Sequence, residues 1–369
     1  MVVKENWRIF EMRKLNVAII GQGRSGRDIH GKFFRSESND FCNVVCIVEA
    51  DEARREKAKI EFGCDVVADY TELFGRTDID VVVNASFSHM HYPISKDLLV
   101  HGFNVLSEKP FGRSYYECMD LINTAKQHGV IITAFHQTLF TPAFLKVKEL
   151  LNSGKIGRPL QINVNYSGFS RRWDWQTLQN YCAGSIYNTG PHPIGMALSL
   201  IDWDENAKVA YSDLDIALTS GDAPDYGKII IKAPGRPTID IEVNSVNAYG
   251  LGYVFKILGT KGTISATNGA YKMKYIEDVN ALPARPVIRE PLSNAEGNPA
   301  YCSEHLETVE ETGEVTGSAF DVAVRDFYKL LADSIIDGKP LAITPEQAAM
   351  VIGVIETCHA QNPLPVLYE

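Results

Sequence analysis

GQGRSG, residues 21–26, places Gly21, Gly23 and Gly26 directly after a β-branched run and ahead of a helix-like segment. In that context each glycine has a chemical use. Gly21 permits a tight turn, Gly23 lets a diphosphate approach the backbone, and Gly26 lets helix and strand pack closely. Arg24 and Ser25 complete the loop, whose amides would face phosphate at a positive helix N-terminus. Glu49 ends the next strand-like run, near the ~20-residue offset of an acid that binds ribose hydroxyls. A nicotinamide dinucleotide site is expected. The carboxylate of Glu49 would repel a 2′-phosphate, which favours NAD over NADP. Arg24, Arg54 and Arg55 could instead gather such a phosphate, so NADP stays as the alternative. Further along, GFSRRWDWQ (168–176) offers Arg171 and Trp175 as candidate substrate contacts. An aromatic face suits a sugar ring and a planar donor suits its hydroxyls or a carboxylate. The same residue types could equally build a packed flap or a subunit contact. A loop from Ser86 to His91 follows a central strand-like run, near where a nicotinamide would lie. Its two histidines, His89 and His91, do not by themselves make a metal site, and no metal is expected.

The elements that must position these residues alternate short β-branched runs with helix-period segments. Runs at 16–20, 43–48, 66–67, 80–85, 104–106 and 130–133 read as strands of a parallel sheet with crossover helices between them. Asp51 to Phe62, Pro93 to His101 and Ser114 to His128 read as helices, each followed by a glycine (Gly63, Gly102, Gly129) suited to a left-handed stop. Ser114 and Glu117 have capping-box spacing, with the carboxylate expected on the cap amide. Beyond Pro142, where another helix begins, longer strand-like runs at 160–166, 208–218, 228–233, 239–246 and 253–258 predict an α+β half with a largely antiparallel sheet. Residues 276–316 lack clear period and read as a surface excursion. Helices resume from Ser318 to Asp337 and after Thr344, whose Pro345 and Gln347 mark a capped start. The fold class is α/β: a Rossmann doubly wound sheet over 14–136, then an α+β domain with a large open sheet over 137–369.

Composition excludes several functions. No apolar stretch approaches the ~20 residues of a bilayer helix, so no membrane partner is expected. A net charge of −10 argues against nucleic acid, whose binding needs clustered Lys and Arg. Seven scattered cysteines without a CxxC pair argue against a disulfide framework. The opening residues lack a secretory apolar centre, and a cytoplasmic location is expected.

IDVVVNASFSHMHYP followed by HGFNVLSEKPFG, with KIGRP at 155–159, AGSIYNTGPHP at 183–193 and GKPLAITPEQA at 338–348, resembles the Gfo/Idh/MocA oxidoreductases. The likeness runs from Leu15 to about Pro363. It implies a Rossmann domain followed by a substrate domain whose sheet often carries a subunit interface, hence a homodimer or homotetramer. It also implies oxidation or reduction of a sugar, inositol or related polyol. The lysine of the family's EKP motif falls on Lys109, placed to donate to a substrate oxygen or to take a proton, and beside it Glu108 would orient backbone or cofactor groups. The cofactor set implied is Gly21, Gly23, Arg24, Ser25, Gly26, Glu49, Ser86, His91, Glu108 and Lys109. The family's second segment usually carries aspartate and, four residues later, histidine. Here these are Asn188 and His192. An amide can orient substrate but cannot act as a base, so proton transfer would fall to His192 or Lys109. Lys109, Asn188 and His192, with Arg171 and Trp175, thus form the expected substrate set. The asparagine keeps a second class open, in which tightly held NAD drives elimination or glycoside cleavage without net redox change. A dinucleotide-binding regulator is a third, disfavoured because a sensor does not need Lys109 and His192 together.

Overall fold

The computed structural model describes residues 13–318 and 321–368, so the segment read for targeting lies outside the described residues. Six strands, β1 (Leu15–Ile20), β2 (Cys42–Val48), β3 (Asp65–Val67), β4 (Val81–Asn84), β5 (Val105–Ser107) and β6 (Ile132–Ala134), form a parallel sheet in the order β3-β2-β1-β4-β5-β6. Helices cover both faces, which explains why β4 is an unbroken buried run rather than an alternating one. The order reverses between β1 and β4, and a crevice for ligand opens beyond their C-terminal ends.

Local chemistry sets the crossovers. A π-helical turn (Arg24–His30) and α1 (Gly31–Phe34) follow the glycine loop. α2 (Glu52–Phe62) starts on the Asp51 carboxylate, which accepts from the Arg54 amide, and stops at left-handed Gly63. α3 (His91–Val100) opens two residues ahead of Pro93, which therefore sits in its first turn. α4 (Tyr115–His128) is capped by Ser114 Oγ, which accepts from Glu117 N at 3.2 Å. The returning carboxylate departs from expectation: Glu117 Oε2 accepts from Arg113 N at 2.7 Å, one residue upstream of the cap.

The second half holds α5 (Pro142–Asn152), β7 (Pro159–Asn165), α6 (Ser185–Asn188), α7 (Pro191–Ser199), β8 (Lys208–Asp215), β9 (Tyr226–Lys232), β10 (Thr238–Asn244), β11 (Phe255–Gly259), β12 (Gly262–Ala266), β13 (Ala270–Tyr275), β14 (Leu292–Ser293), β15 (Pro299–Ala300) and β16 (Val309–Glu314). Eight of these strands form a sheet ordered β16-β13-β12-β11-β7-β10-β9-β8, antiparallel except at β7 and β10. Its inner face, including Ile162, Ile229, Ile241 and Ile257, is buried. The expected excursion over 276–316 needs correction at its end, where β16 pairs with β13. Its sequence VEETGE carries little β-propensity because it is an edge strand whose side chains alternate between half-buried and exposed.

α8 (Asp321–Asp337) and α9 (Pro345–Gln361) return to the parallel sheet. Thr133 Oγ1 on β6 donates to Ile343 O at 2.8 Å, and Tyr328 on α8 stacks on Phe33 with ring centroids 5.2 Å apart. The Thr344–Gln347 capping box forms at the start of α9 as expected. We propose residue 136 as a boundary between sheets, with α8 and α9 joining the two halves. Among the described residues, no helix is long and apolar enough to cross a membrane.

Candidate active site

The glycine loop shows which of its glycines the chain itself requires. Gly21 has φ 90°, and a Cβ there would lie 2.6 Å from Ala85 O. At Gly26 a Cβ would come within 1.8 Å of Gly21 O. Gly23 differs: it is exposed, has an ordinary φ of −74°, and a Cβ there would meet nothing within 4 Å. The space in front of Gly23 is therefore free for a ligand, as a cradle for a diphosphate requires. Arg24 is exposed and Ser25 half-buried beside it. Glu49 Oε2 accepts from Gln22 N at 2.7 Å and Oε1 from Asp51 N at 3.0 Å, which fixes the carboxylate at the rim of the loop. The counter-candidates separate here. Arg55 spends its guanidinium on Glu49 O (2.8 Å) and Ala50 O (3.1 Å), and Arg54 is exposed on α2.

The turn after β5 carries Glu108, only 3% exposed, and Lys109. Lys109 Nζ donates to the backbone oxygen of Asn188 at 2.8 Å, a bond spanning the two halves of the chain. Asn188 Nδ2 in turn donates to Gln176 O at 3.1 Å, tethering the 168–176 segment. His192, at the start of α7, meets Thr138 Oγ1 through Nδ1 at 3.2 Å. Arg113 secures the same junction by donating to Gln179 O and Asn180 O, while its own carbonyl accepts from Tyr187 Oη. Burial pushes the Lys109 ammonium below its ordinary value, helped by Arg24 and Arg172 and opposed by Glu108. Burial, followed by the charge of Lys109, takes His192 down to about 3 and His136 to about 4. Both imidazoles are neutral at pH 7. The charge of Lys109 acts on both His136 and His192, which places the three in one electrostatic cluster.

Other expected residues take different places. His91 is buried, with Nδ1 2.8 Å from Pro110 O and Nε2 3.2 Å from Ser86 O. It braces the loop from beneath, whereas half-buried Ser86 bonds to Asn84 Oδ1. Arg171 is exposed and donates to Leu218 O and Ser220 Oγ, so its fork holds a neighbouring loop. Trp175 stands edge-on to Phe87 at 5.0 Å and tilted to Tyr181 at 6.0 Å, while His89 lies 4.5 Å from Tyr181. These four rings join the loop after β4 to the 168–184 segment and wall the crevice.

Six buried side-chain polar atoms lack a partner among the described residues, and four of them sit just past ends of parallel strands: Gln22 Oε1, His89 Nδ1, His136 Nδ1 and Gln137 Oε1. They follow β1, β4 and β6, at the C-terminal edge where a doubly wound sheet binds ligand. Unpartnered buried polar atoms are costly, and their concentration here fits groups that a ligand would satisfy. His136, Gln137 and Thr138 escaped the sequence reading because HQT has no chemical spacing of its own. His30 was also missed. Its position four residues past Gly26 was the available signal.

Comparison with known proteins agrees with this geometry. Residues 15–136 match the oxidoreductase family model with an NAD-binding Rossmann fold, and residues 144–265 match the GFO/IDH/MocA C-terminal domain. The chain is 25% identical to the scyllo-inositol 2-dehydrogenase (NADP(+)) IolW of Bacillus subtilis over 357 residues, covering 93% of this chain and 92% of that protein. It is 26% identical to an uncharacterized oxidoreductase of Schizosaccharomyces pombe over 259 residues, covering 68% and 70%. Its fold superposes on GenD2 from gentamicin A biosynthesis, solved in complex with NAD, with TM-score 0.73 at 18% identity, covering 97% and 98%. With both halves matched in order and the glycine cradle shaped for the dinucleotide, the chain belongs to the Gfo/Idh/MocA family of NAD-binding oxidoreductases.

Proposed function

We propose that this protein is a nicotinamide-dependent dehydrogenase or reductase acting on a hydroxyl-bearing carbon of a sugar, inositol or related polyol. The observation that carries this reading is that Lys109 bonds Asn188 and acts electrostatically on neutral His192, while Arg24 of the glycine loop acts on the same ammonium. Gly21, Gly23, Gly26 and Glu49 would hold the dinucleotide, which when bound supplies the hydride acceptor or donor. Lys109, with its affinity for protons lowered by burial, donates a hydrogen bond to the substrate oxygen and gives up or receives its proton. His192 serves the same oxygen. Its Nδ1 lies 3.2 Å from Thr138 Oγ1, a contact that holds the neutral ring in place beside that oxygen. Asn188 contributes position rather than charge, since its backbone oxygen orients Lys109 and its amide anchors the aromatic wall. The aromatic faces of Trp175 and Phe87 suit the apolar side of a sugar ring. The inositol activity of the Bacillus subtilis relative supports this substrate class. That relative's name specifies NADP(+), whereas Glu49 and the committed guanidinium of Arg55 favour NAD in this chain.

The outer face of the eight-stranded sheet carries half-buried Tyr226, Lys228 and Ile230, and we infer a homo-oligomer paired through it. The test of function is to identify any dinucleotide released on denaturation, then to follow NADH formation with inositols, hexoses and glycosides. Glycoside cleavage without net NADH would replace the dehydrogenase by the redox-neutral class. Dinucleotide binding with neither reaction would remove the enzymatic reading.

A further inference from the structure

Behind the Lys109 turn runs a line of hydrogen bonds that the proposed chemistry does not use. Tyr328 Oη lies 2.7 Å from His30 Nδ1, and His30 Nε2 lies 3.2 Å from Glu108 Oε1. Tyr328 and His30 are 0% exposed and Glu108 3%. Donor and acceptor accounting fixes its direction. An ionised carboxylate only accepts, so His30 must present Nε2–H to Glu108. A neutral imidazole then carries its lone pair on Nδ1, which Tyr328 satisfies by donating its hydroxyl proton. No proton is surplus and no buried atom in the line is unmet.

We propose that His30 and Tyr328 are positioning residues for Lys109, acting through Glu108. The geometry gives the reason. Glu108 Oε2 accepts from the Lys109 amide at 3.0 Å while Oε1 is occupied by His30, so both carboxylate oxygens are held. The carboxylate cannot swing out to seize the Lys109 ammonium, which reaches Asn188 O instead. The ammonium thus gains the carboxylate's field without being captured by it. Three elements meet at this point. His30 ends the π-helical turn behind the glycine loop, where Gly31 N–H reaches back five residues to Gly26 O. Glu108 lies in the turn after β5, and Tyr328 comes from α8, wedged against Phe33 and Phe34. Phe135 covers the imidazole at 4.4 Å. Lys109 is also faced by Arg24, Arg172, His91, His136 and His192. Among these groups Glu108 is the only anion, so disturbing its partner disturbs the one charge that favours the protonated lysine.

The inference rests on Lys109 being the proton-handling group, but its test needs neither substrate nor cofactor. In the whole protein, ¹⁵N imidazole shifts should show His30 as the Nε2–H tautomer. An Nδ1–H tautomer would overturn the proposal. Acetylation of Lys109 by acetic anhydride, followed against pH by mass spectrometry, reads its proton affinity. In Tyr328→Phe, which keeps the ring but removes the hydroxyl, His30 loses its Nδ1 partner and its hold on the Glu108 carboxylate loosens. The freed carboxylate can then reach the Lys109 ammonium, so the Lys109 midpoint should rise by about half a pH unit or more, whereas Glu108→Gln, which removes the anion, should lower it. Phe327→Leu, a packing change on the same helix, should lower the melting temperature and leave the midpoint in place. A Tyr328→Phe protein that loses stability with an unmoved midpoint would reduce the line to a structural tie. If Tyr328→Phe does not fold, the wild-type tautomer decides. Failure to oxidise any polyol would sink the dehydrogenase reading without touching these readouts.

Discussion

Replacing Gly23 by alanine separates what the glycine loop does for the fold from what it does for a ligand. The added methyl would meet no protein atom within 4 Å, and the backbone at φ −74° suits alanine. Folding stability should therefore hold or rise by about 0.4–1 kcal/mol, because alanine restricts the unfolded chain. A diphosphate seated on the loop would be displaced by that methyl from the amides it contacts. Losing one charge-assisted hydrogen bond costs about 1.5–3 kcal/mol, a drop in affinity of roughly 10- to 150-fold. Gly26→Ala provides the contrast, since its Cβ would lie 1.8 Å from Gly21 O and the fold itself must yield. Overpacking of that kind costs ~1–3 kcal/mol or more. Fluorescence titration with NADH and thermal melting measure the two quantities on the same samples. Wild-type NADH affinity in a stable Gly23→Ala protein would show that no diphosphate approaches this backbone, and the cradle would have to be placed elsewhere.

Lys109→Met and His192→Ala should each lower turnover on an identified polyol by about a hundredfold or more, the lower end of positioned acid–base catalysis. NADH affinity should largely survive both, and near-wild-type turnover would show the proton is handled elsewhere. Glu49→Ala should narrow the preference for NAD over NADP in parallel titrations, whereas tighter NADP binding by the wild type would reverse the assignment. His136 at about 4 and His192 at about 3 stay neutral in the fold, while in the unfolded chain each titrates near 6.5. As pH falls below about 6.5, the unfolded state binds protons that the folded state refuses, so stability declines down to about pH 4. Melting temperatures across that range should show the decline, and His136→Gln should flatten it. Light scattering at micromolar concentration should give a multiple of the chain mass, and a monomer would refute pairing through the open sheet.

Much of this protein is legible along the chain because the interactions concerned are local. The stops at Gly63 and Gly129, the Thr344 cap and the strand–glycine–helix order of β1 depend on neighbours a few residues apart, and all of them formed. β12, β13 and β16 were not anticipated, since short or polar strands near a sheet edge acquire their pattern from the partner strand. The site divides in the same way. GQGRSG with Glu49, and the resemblance of EKP and TGPHP to a known family, pointed to Lys109, Asn188 and His192. Which atoms meet was decided only in three dimensions. The backbone oxygen of Asn188, not its side chain, receives Lys109, and the guanidinium of Arg171 is spent on Leu218 and Ser220. His136 and the Tyr328–His30–Glu108 line depend on residues up to 298 positions apart. Hydrogen bonds and burial act over a few ångströms of space, and folding brings those distances within reach between residues that no sequence window spans.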